Sequence, residues 1–427
     1  MSSDVTAAIV ESGKVLTLVK DVVLDSTLSL NGYTKLDLAG HKLTGPSNAY
    51  ALEVTDGSEV EICNGTLVTD NRGIYASGGS SVTLGDQFIF EGKMRSAGIY
   101  DGSKLFVKSG ASLTTLGGDG GIFVCGDLTI SKVAGPRKSY VEIEGKVTNT
   151  KTYCAVQGNG SDTTGCDIVI KSPADISATG NAVYFPCPGT LRIEGGSITG
   201  DTAVYVKSGT LQIVGGTLTG NGEKIEYTPN PNGANSTGDA VVIDSCDYPS
   251  GNPSVEITGG TFVSKNADAI GSYADSDEGI ATGFVKGGSF TPELSKDLVS
   301  SSGVIVNGKV VEVKYLDIDF SSRQASVPNE DGSSTLTTYL DAHVSYQVPG
   351  LMTSSATVEI QELVKVTMNS EGLRTSIVDT PAKFSSVDEV LDIISEKVNA
   401  HIQSEQISRQ ERATVQESMS KMKLLGL

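Results

Sequence analysis

The sequence of 427 residues has no tryptophan, three histidines and no long apolar run. The histidines, His41, His343 and His401, lie far apart along the chain, so a histidine-based catalytic triad is not expected. No apolar run reaches the roughly 18 residues that a transmembrane helix needs. The first residues also lack the basic start, apolar core and small-residue cleavage site of a secretory signal peptide. We therefore expect synthesis in a cytoplasm without membrane insertion.

Basic residues are scarce: 32 lysines and arginines stand against 51 aspartates and glutamates, for a formal net charge of −19. Nucleic-acid binding depends on basic side chains that neutralise phosphates, so no nucleic-acid partner is expected. An anionic membrane surface is disfavoured for the same reason. The acidity would suit Ca²⁺, but the Asp-x-Asp-x-Asp-Gly loop of a calcium site does not occur. We predict no metal site and no cofactor.

The sequence contains six cysteines, and none of them form a Cys-x-x-Cys pair. Zinc and redox motifs are therefore not expected. We predict mostly buried thiols that act as small apolar side chains. They are Cys63, Cys125, Cys154, Cys166, Cys187 and Cys246.

Glycine, in contrast, is abundant, with 50 residues and no Gly-X-Y period, which is typical of a turn-rich all-β chain. The stretch "TAVYVKSGTLQIVGGTLTG" at 202–220 repeats "NAVYFPCPGTLRIEGGSITG" at 181–200. Related phrases recur at intervals of about 20 to 29 residues, the signature of a repeat architecture. The chain therefore contains many copies of one short structural unit.

Within each unit the apolar residues alternate, as in Leu191, Ile193 and Ile198, which is typical of strands with one buried face. Two or three such strands cannot bury that face alone, but stacked units can. The pattern predicts a parallel β-helix of about 10 to 12 rungs. The Gly-Gly pairs at 195–196 and 215–216, with those at 259–260 and 287–288, are predicted to form corners.

The segment "LDLAGHKLTG" at 36–45 resembles the N-terminal strands of pectin-lyase-like right-handed parallel β-helix proteins. The later Gly-Gly-Thr rungs are similar to those of phage fibre, tailspike and bacterial surface β-helices. This resemblance covers about residues 10–313 and implies a right-handed parallel β-helix. It implies less about function, because that superfamily contains lyases, hydrolases, adhesins and inert shafts.

Three segments are predicted. Residues 1–313 form the parallel β-helix, with loop insertions near 221–239 and 244–254. Residues 314–380 form a small β-rich cap or second domain, because they contain strand patterns but no repeat phrase. Residues 381–427 are predicted to form an amphipathic α-helix for oligomerisation or attachment, because the stretch from residue 385 onward has no proline and its apolar residues recur at helical spacing.

Two groups of side chains are candidates for contacts. Tyr227 and Tyr248 lie on the insertions, which either recognise a partner or are solvated decoration. The apolar stripe of the C-terminal helix can dock on its own protein, self-associate or insert into a partner, and a capping-box pattern precedes it. The stripe consists of Val387, Leu391, Ile394, Val398 and Ile402.

Catalytic motifs are missing. The Asn-Thr-Asp, Gly-His-Gly and Arg-Ile-Lys segments of polygalacturonases do not occur. Glycosidases use two carboxyl groups about 5–9.5 Å apart, and the sequence does not exclude such a pair, because distant rungs can supply its two members. We name no catalytic residue and predict a protein that is not an enzyme.

These observations lead to an expectation for function. We expect a structural virion protein, a phage head fibre, capsid decoration or tail fibre, assembled in the host cytoplasm. It would present a β-helix rod on the particle surface, with adhesion to a host or glycan as a further role. The resemblance implies a homotrimer and capsid or tail proteins as partners. The alternatives are a tailspike-like polysaccharide depolymerase (glycoside hydrolase or lyase) and a bacterial surface carbohydrate-binding β-helix.

Overall fold

The structure is a computed structural model that divides into two compact units, Met1–Leu298 and Val299–Leu427. It describes residues 8–118, 120–126, 137–151, 153–230, 233–246, 248–276, 279–330, 334–349, 354–369, 372–377 and 393–404.

The first unit is a parallel β-solenoid of about 11 turns in its described residues. Each turn contributes one short strand to each of three sheets, which we call A, B and C in the order in which the chain enters them. Neighbouring strands within each sheet are parallel, except for the antiparallel hairpin Ile9–Ser12 with Val15–Leu18 at the start of sheet A. The predicted parallel β-helix is confirmed.

The strands, in their spatial order, are as follows. Sheet A contains Ile9–Ser12, Val15–Leu18, Lys35–Asp37, Glu59–Cys63, Ser81–Leu84, Lys104–Val107, Ser139–Ile143, Cys166–Ile170, Gly189–Ile193, Thr210–Ile213 and Ser254–Ile257. Sheet B contains Val22–Val23, Lys42–Thr44, Gly65–Thr69, Phe88–Gly92, Ser112–Thr115, Lys146–Asn149, Asp175–Ala178, Ser197–Gly200, Thr217–Gly220, Thr261–Ser264 and Gly288–Thr291. Sheet C contains Leu28–Ser29, Leu52–Val54, Ile74–Ala76, Ala97–Tyr100, Ile122–Cys125, Val156–Gln157, Asn181–Phe185, Thr202–Val206, Val241–Ser245 and Ile270–Ala274.

The interior is built from ladders of apolar side chains, because strands pair in register and alternate residues face inward. One ladder in sheet B is only 0 to 4% exposed along its whole length. At its end the rings of Phe262 and Phe290 stack with centroids 4.8 Å apart. The ladder consists of Leu43, Leu67, Phe90, Leu113, Val147, Ile176, Ile198, Leu218, Phe262 and Phe290.

The Gly-Gly pairs form the corners between sheets A and B. Within a pair, the first and the second glycine are required for different reasons, as one example of each shows. At the first, a Cβ on Gly259 would lie 2.5 Å from the carbonyl oxygen of Val214 in the preceding turn. At the second, Gly216 has φ of +94°, where a Cβ is strained. The residues that follow are in register, with Ser197 paired to Thr217. The corners predicted from the sequence are confirmed.

The second unit is an antiparallel sheet with a helix packed on it. A hairpin, Gly303–Val306 and Lys309–Glu312, precedes the strands Lys314–Pro328, Ser334–Gln347, Ala356–Asn369 and Gly372–Ile377, and the described helix covers 393–404. The hairpin contributes to this unit's core, so the unit begins before the predicted boundary at residue 313. The core contains Val304, Val306, Val313, Ala342, Val344, Tyr346, Val348, Ile360, Ile394, Val398 and Ile402.

The described part of the helix docks on its own chain. Its stripe residues Ile394, Val398 and Ile402 are at most 3% exposed. The hydroxyls of Tyr315 and Ser395 are 3.0 Å apart across this contact. Val387 and Leu391 lie outside the described residues, and the role of the helix in oligomerisation or attachment stays a prediction. Among the described residues, no helix has the length and apolarity of a membrane span.

Replacing Leu218 with alanine is predicted to destabilise the solenoid by about 2–5 kcal/mol, because its side chain is fully buried within a ladder. Thr217→Ala, one residue earlier and facing solvent, is predicted to change stability by about 0.5 kcal/mol or less. Urea denaturation of both variants measures the difference. Equal losses would contradict the inward alternation.

Candidate functional site on the outer face of sheet C

Tyrosines are concentrated on the outer face of sheet C. Within the described part of the chain, eight of the 14 tyrosines lie on this face or on the insertions packed against it. Those on the strands reach the outside because inward and outward positions alternate along each strand. They are Tyr50, Tyr75, Tyr100, Tyr184, Tyr205, Tyr227, Tyr248 and Tyr273.

In the N-terminal half of the face, the rings of Tyr50, Tyr75, Tyr100 and Phe123 form a continuous line, which we call the aromatic row. Successive ring centroids are 5.3, 5.3 and 5.8 Å apart. Gly98 makes this line possible, because a Cβ there would lie 2.7 Å from the ring of Tyr100. The row therefore crosses four successive turns.

Charged and polar groups flank the aromatic row. The Arg95 guanidinium donates a hydrogen bond of 2.6 Å to the Tyr100 hydroxyl and lies 4.1 Å from the centroid of the Phe123 ring. Arg72 lies 5.7 Å from the centroid of the Tyr50 ring. Burial raises the pKa of Tyr100, so its hydroxyl keeps its proton at neutral pH. The row thus combines apolar ring faces with fixed hydrogen-bonding groups.

A cleft of about 360 Å³ opens beside Tyr50 and Tyr75. Its wall also contains Glu53, Asn71 and Arg72, which supply carboxylate, amide and guanidinium groups. Such a mixture of aromatic faces and a few polar groups is typical of a site that binds a small polar molecule. The cleft has room for a ring-sized ligand unit against the two tyrosines.

The C-terminal half of the face is covered by the insertion 221–239. Beneath it, Lys207 and Asp244 form an ion pair with 3.3 Å between Nζ and Oδ2, and both side chains are 0% exposed. Lys207 Nζ also donates hydrogen bonds to the carbonyl oxygens of Asn230 and Gly233. The ring of Tyr248 lies over this ammonium, 4.6 Å from Nζ to the centroid. The buried ammonium of Lys207 therefore fixes the insertion to the face of the sheet through these hydrogen bonds.

Two tyrosine hydroxyls complete the environment of Asp244. Tyr205 donates to Oδ2 at 2.7 Å, and Tyr227 donates to Oδ1 at 2.6 Å. Burial, reinforced by the Asp244 carboxylate, raises the pKa of both tyrosines. Both hydroxyls therefore stay protonated donors at neutral pH, and each carboxylate oxygen has a strong partner.

A second carboxylate, Asp239, anchors the far end of the insertion. It accepts hydrogen bonds of 2.7 Å from the hydroxyls of Tyr273 and Thr237. The ring of Tyr273 stacks on that of Tyr227 with centroids 4.6 Å apart and an interplanar angle of 6°. Burial raises the pKa of Asp239 and outweighs the opposing effect of these hydrogen bonds. The two carboxylates are linked through stacked rings.

The structure places both insertion tyrosines that the sequence suggested for surface recognition in this network. Tyr227 is half-buried and Tyr248 is 7% exposed, so these two rings pack against the face of the sheet. A recognition role for these two residues stays a prediction. Sequence reasoning missed Lys207 and Asp244. The sequence signal that could have found them is one charged residue near the end of each of two otherwise mostly apolar stretches, Lys207 in "TAVYVK" and Asp244 in "VVIDS".

All six cysteines are buried, as predicted. The Sγ atoms of Cys166 and Cys187, on neighbouring turns, are 3.5 Å apart. In the described ranges, no cluster of three or more His, Cys, Asp or Glu side chains is placed to hold a metal ion.

No protein-family model and no curated protein match this sequence. Among solved structures, the "Crystal structure of Dettilon tailspike protein (gp208)" is similar over 83% of this chain and 72% of that chain. The sequence identity is 11% and the TM-score is 0.26. A likeness at this level does not bear on function, which has to follow from the residues of the site.

Replacing Asp239 with asparagine is predicted to change how stability depends on pH. Because the folded state raises the Asp239 pKa above 3.8, folding is favoured below that pH, and this contribution is lost as pH rises through the folded-state value. Asp239→Asn replaces the titrating carboxyl group with an amide and so removes this pH-dependent change in stability. The wild type should therefore lose more stability than the variant between about pH 4 and pH 7.

Urea denaturation at a series of pH values measures both profiles. Asp25→Asn, which changes an exposed carboxylate, is the matched control and should follow the wild type. Parallel profiles for the wild type and Asp239→Asn would contradict the burial of this group.

Proposed function

We propose that this protein is a non-enzymatic structural protein of a virion, a phage head fibre, capsid decoration or tail fibre. It presents its β-helix on the particle surface and contacts a host surface glycan. The observation that carries the proposal is the aromatic row with its cleft on the outer face of sheet C. The alternatives are a glycan depolymerase and a bacterial surface protein, and the tests below separate them.

The solenoid suits presentation of a binding surface. Every turn rests on the next through buried ladders, so outward side chains are held on a rigid scaffold at the strand spacing of about 4.8 Å. A ligand that contacts such a surface orders few protein side chains on binding. An extended polymer matches a row that crosses several turns better than a compact ligand does.

The chemistry of the row fits a glycan. Ring faces pack against the apolar C–H face of a sugar, while hydroxyls need donors and acceptors at the edge. Tyr50 and Tyr75 supply the faces, and Glu53, Asn71 and Arg72 supply the polar groups in the same cleft. This combination supports sugar contact at the N-terminal half of the face.

The second unit supports a role in assembly. In the edge strand Lys314–Pro328, Leu316, Phe320 and Val327 are 48, 51 and 58% exposed. Edge strands with exposed apolar side chains are surfaces on which other chains pair or pack. We therefore assign homo-oligomerisation, as a trimer by resemblance, and attachment to capsid or tail proteins to this unit.

Tyr75→Ala is predicted to weaken glycan binding at least about tenfold, roughly 1.4 kcal/mol, because it removes the central ring face of the cleft. The measurement is binding of the purified full-length chain to an array of bacterial surface polysaccharides, followed by titration of the bound one. Phe106→Ala is the matched control, since Phe106 is a half-buried ring on the outer face of sheet A. Equal losses for both variants would overturn the site.

The same polysaccharide, incubated with the wild-type chain, should keep its length by size-exclusion chromatography. New reducing ends or unsaturated sugars would establish the depolymerase instead. Substitution of individual carboxylates would then identify the residues responsible.

The chain is also predicted to be a stoichiometric component of purified virus particles. Mass spectrometry of particles and labelling of intact particles with antibodies to the folded chain measure this. Recovery of the chain from the surface of bacterial cells, with none on particles, would favour the bacterial surface protein.

A further inference from the structure

The buried pair Lys207 and Asp244 has a geometry that goes beyond an ion pair. The two residues are neighbours on adjacent parallel strands, since Val206 is in register with Ile243 immediately before them. Their side chains extend from the outer face of sheet C and meet with 3.3 Å between Nζ and Oδ2. Both side chains are 0% exposed, so bulk water does not reach the contact.

The contacts of Nζ are directional. Two carbonyl oxygens of the insertion, on Asn230 and Gly233, accept hydrogen bonds from it, and the ion pair places Oδ2 of Asp244 3.3 Å away. When the third proton passes to Asp244, the two remaining N–H groups stay on the carbonyl oxygens. The lone pair of the amine is then within reach of the Asp244 carboxyl group, whose Oδ2 lies 3.3 Å from Nζ.

The carboxyl group of Asp244 is held as an electrophile. The hydroxyls of Tyr205 and Tyr227 donate to its two oxygens at 2.7 and 2.6 Å. Donors fixed in this way stabilise the negative charge that develops on oxygen during attack on a carbonyl carbon. Because burial raises the pKa of both tyrosines, they keep the protons that this role requires.

From this geometry we infer that Lys207 and Asp244 condense to an intramolecular isopeptide bond. The amine nitrogen Nζ attacks Cγ of the protonated Asp244, and the Nζ–Cγ bond forms. The Cγ–OH bond breaks, and the hydroxyl leaves as water with one proton from Nζ. The product is a secondary amide, no atom changes its oxidation state, and no co-reactant is consumed.

The bond would join two adjacent turns of the solenoid and lock the insertion between them. The loop that it closes spans the residues from 207 to 244 and contains the whole insertion 221–239. A solenoid opens by separation of neighbouring turns, so a covalent tie between turns opposes that opening directly. A cross-link of this kind resists reduction, unlike a disulfide.

The intact mass of the purified full-length chain tests the inference. The expected mass is lower than the sequence mass by about 18 Da, one water. After denaturation, trypsin should fail to cleave at Lys207, and peptide 193–224 should remain joined to peptide 225–265. An unshifted mass together with free peptides 193–207 and 208–224 would overturn the bond and leave an ion pair only.

Three variants make the assignment specific. Lys207→Arg keeps the positive charge but should show the full sequence mass, and so should Asp244→Ala. Asp244→Asn should retain the bond and lose ammonia, about 17 Da. A loss of water that persists in Lys207→Arg would show that the dehydration occurs at another residue, and it would overturn the inference. This outcome does not depend on how well the other variants fold.

Tyr227→Phe separates a role in bond formation from a role in folding. Removing one donor to the carboxyl group should slow the appearance of the cross-linked species after synthesis, by tenfold or more, while the final mass stays the same. Tyr33→Phe, which removes a surface hydroxyl bonded to Glu11, is the control and should not slow it. Equal rates for wild type and Tyr227→Phe would overturn the role of this hydroxyl in the reaction.

Discussion

The contact on which the first unit depends is the one between buried side chains at equivalent positions of successive turns. Leu191 in sheet A, for example, lies in register between Ile168 and Leu211. A strand of four or five residues is too short to be stable alone, and stacking gives each one two neighbours. Since only alternate residues enter the ladders, the outward positions carry no packing requirement and are free for other roles.

The outer face of sheet C uses this freedom in two ways. Its N-terminal half leaves Tyr50 and Tyr75 open to a cleft. Its C-terminal half carries further tyrosines in similar outward positions, but the insertion 221–239 covers them. The difference arises from the two insertions, because the underlying strands keep the same register and the same alternation. A single repeated scaffold therefore supports both an accessible surface and a dry polar site.

The dry site is costly to build, which explains the number of its contacts. Burying an ammonium and a carboxylate is favourable only when their partners replace the lost water. Here tyrosine hydroxyls, carbonyl oxygens and an aromatic ring surround Lys207 and Asp244. Removal of any one partner leaves a buried polar group with less compensation, so the insertion and the strands beneath it are mutually dependent.

The parallel β-helix, its turns and its Gly-Gly corners followed from the sequence alone, because alternation and glycine placement are local signals that each turn repeats. The sequence also predicted the apolar stripe Ile394, Val398 and Ile402, but not the surface that it covers in the described part of the chain. Tertiary structure alone decided that Tyr248 is buried, that Tyr50 and Tyr75 share a cleft, and that Lys207 meets Asp244. Those contacts join residues more than 20 positions apart, and they depend on strand register and on the paths of the irregular insertions, which no local pattern encodes.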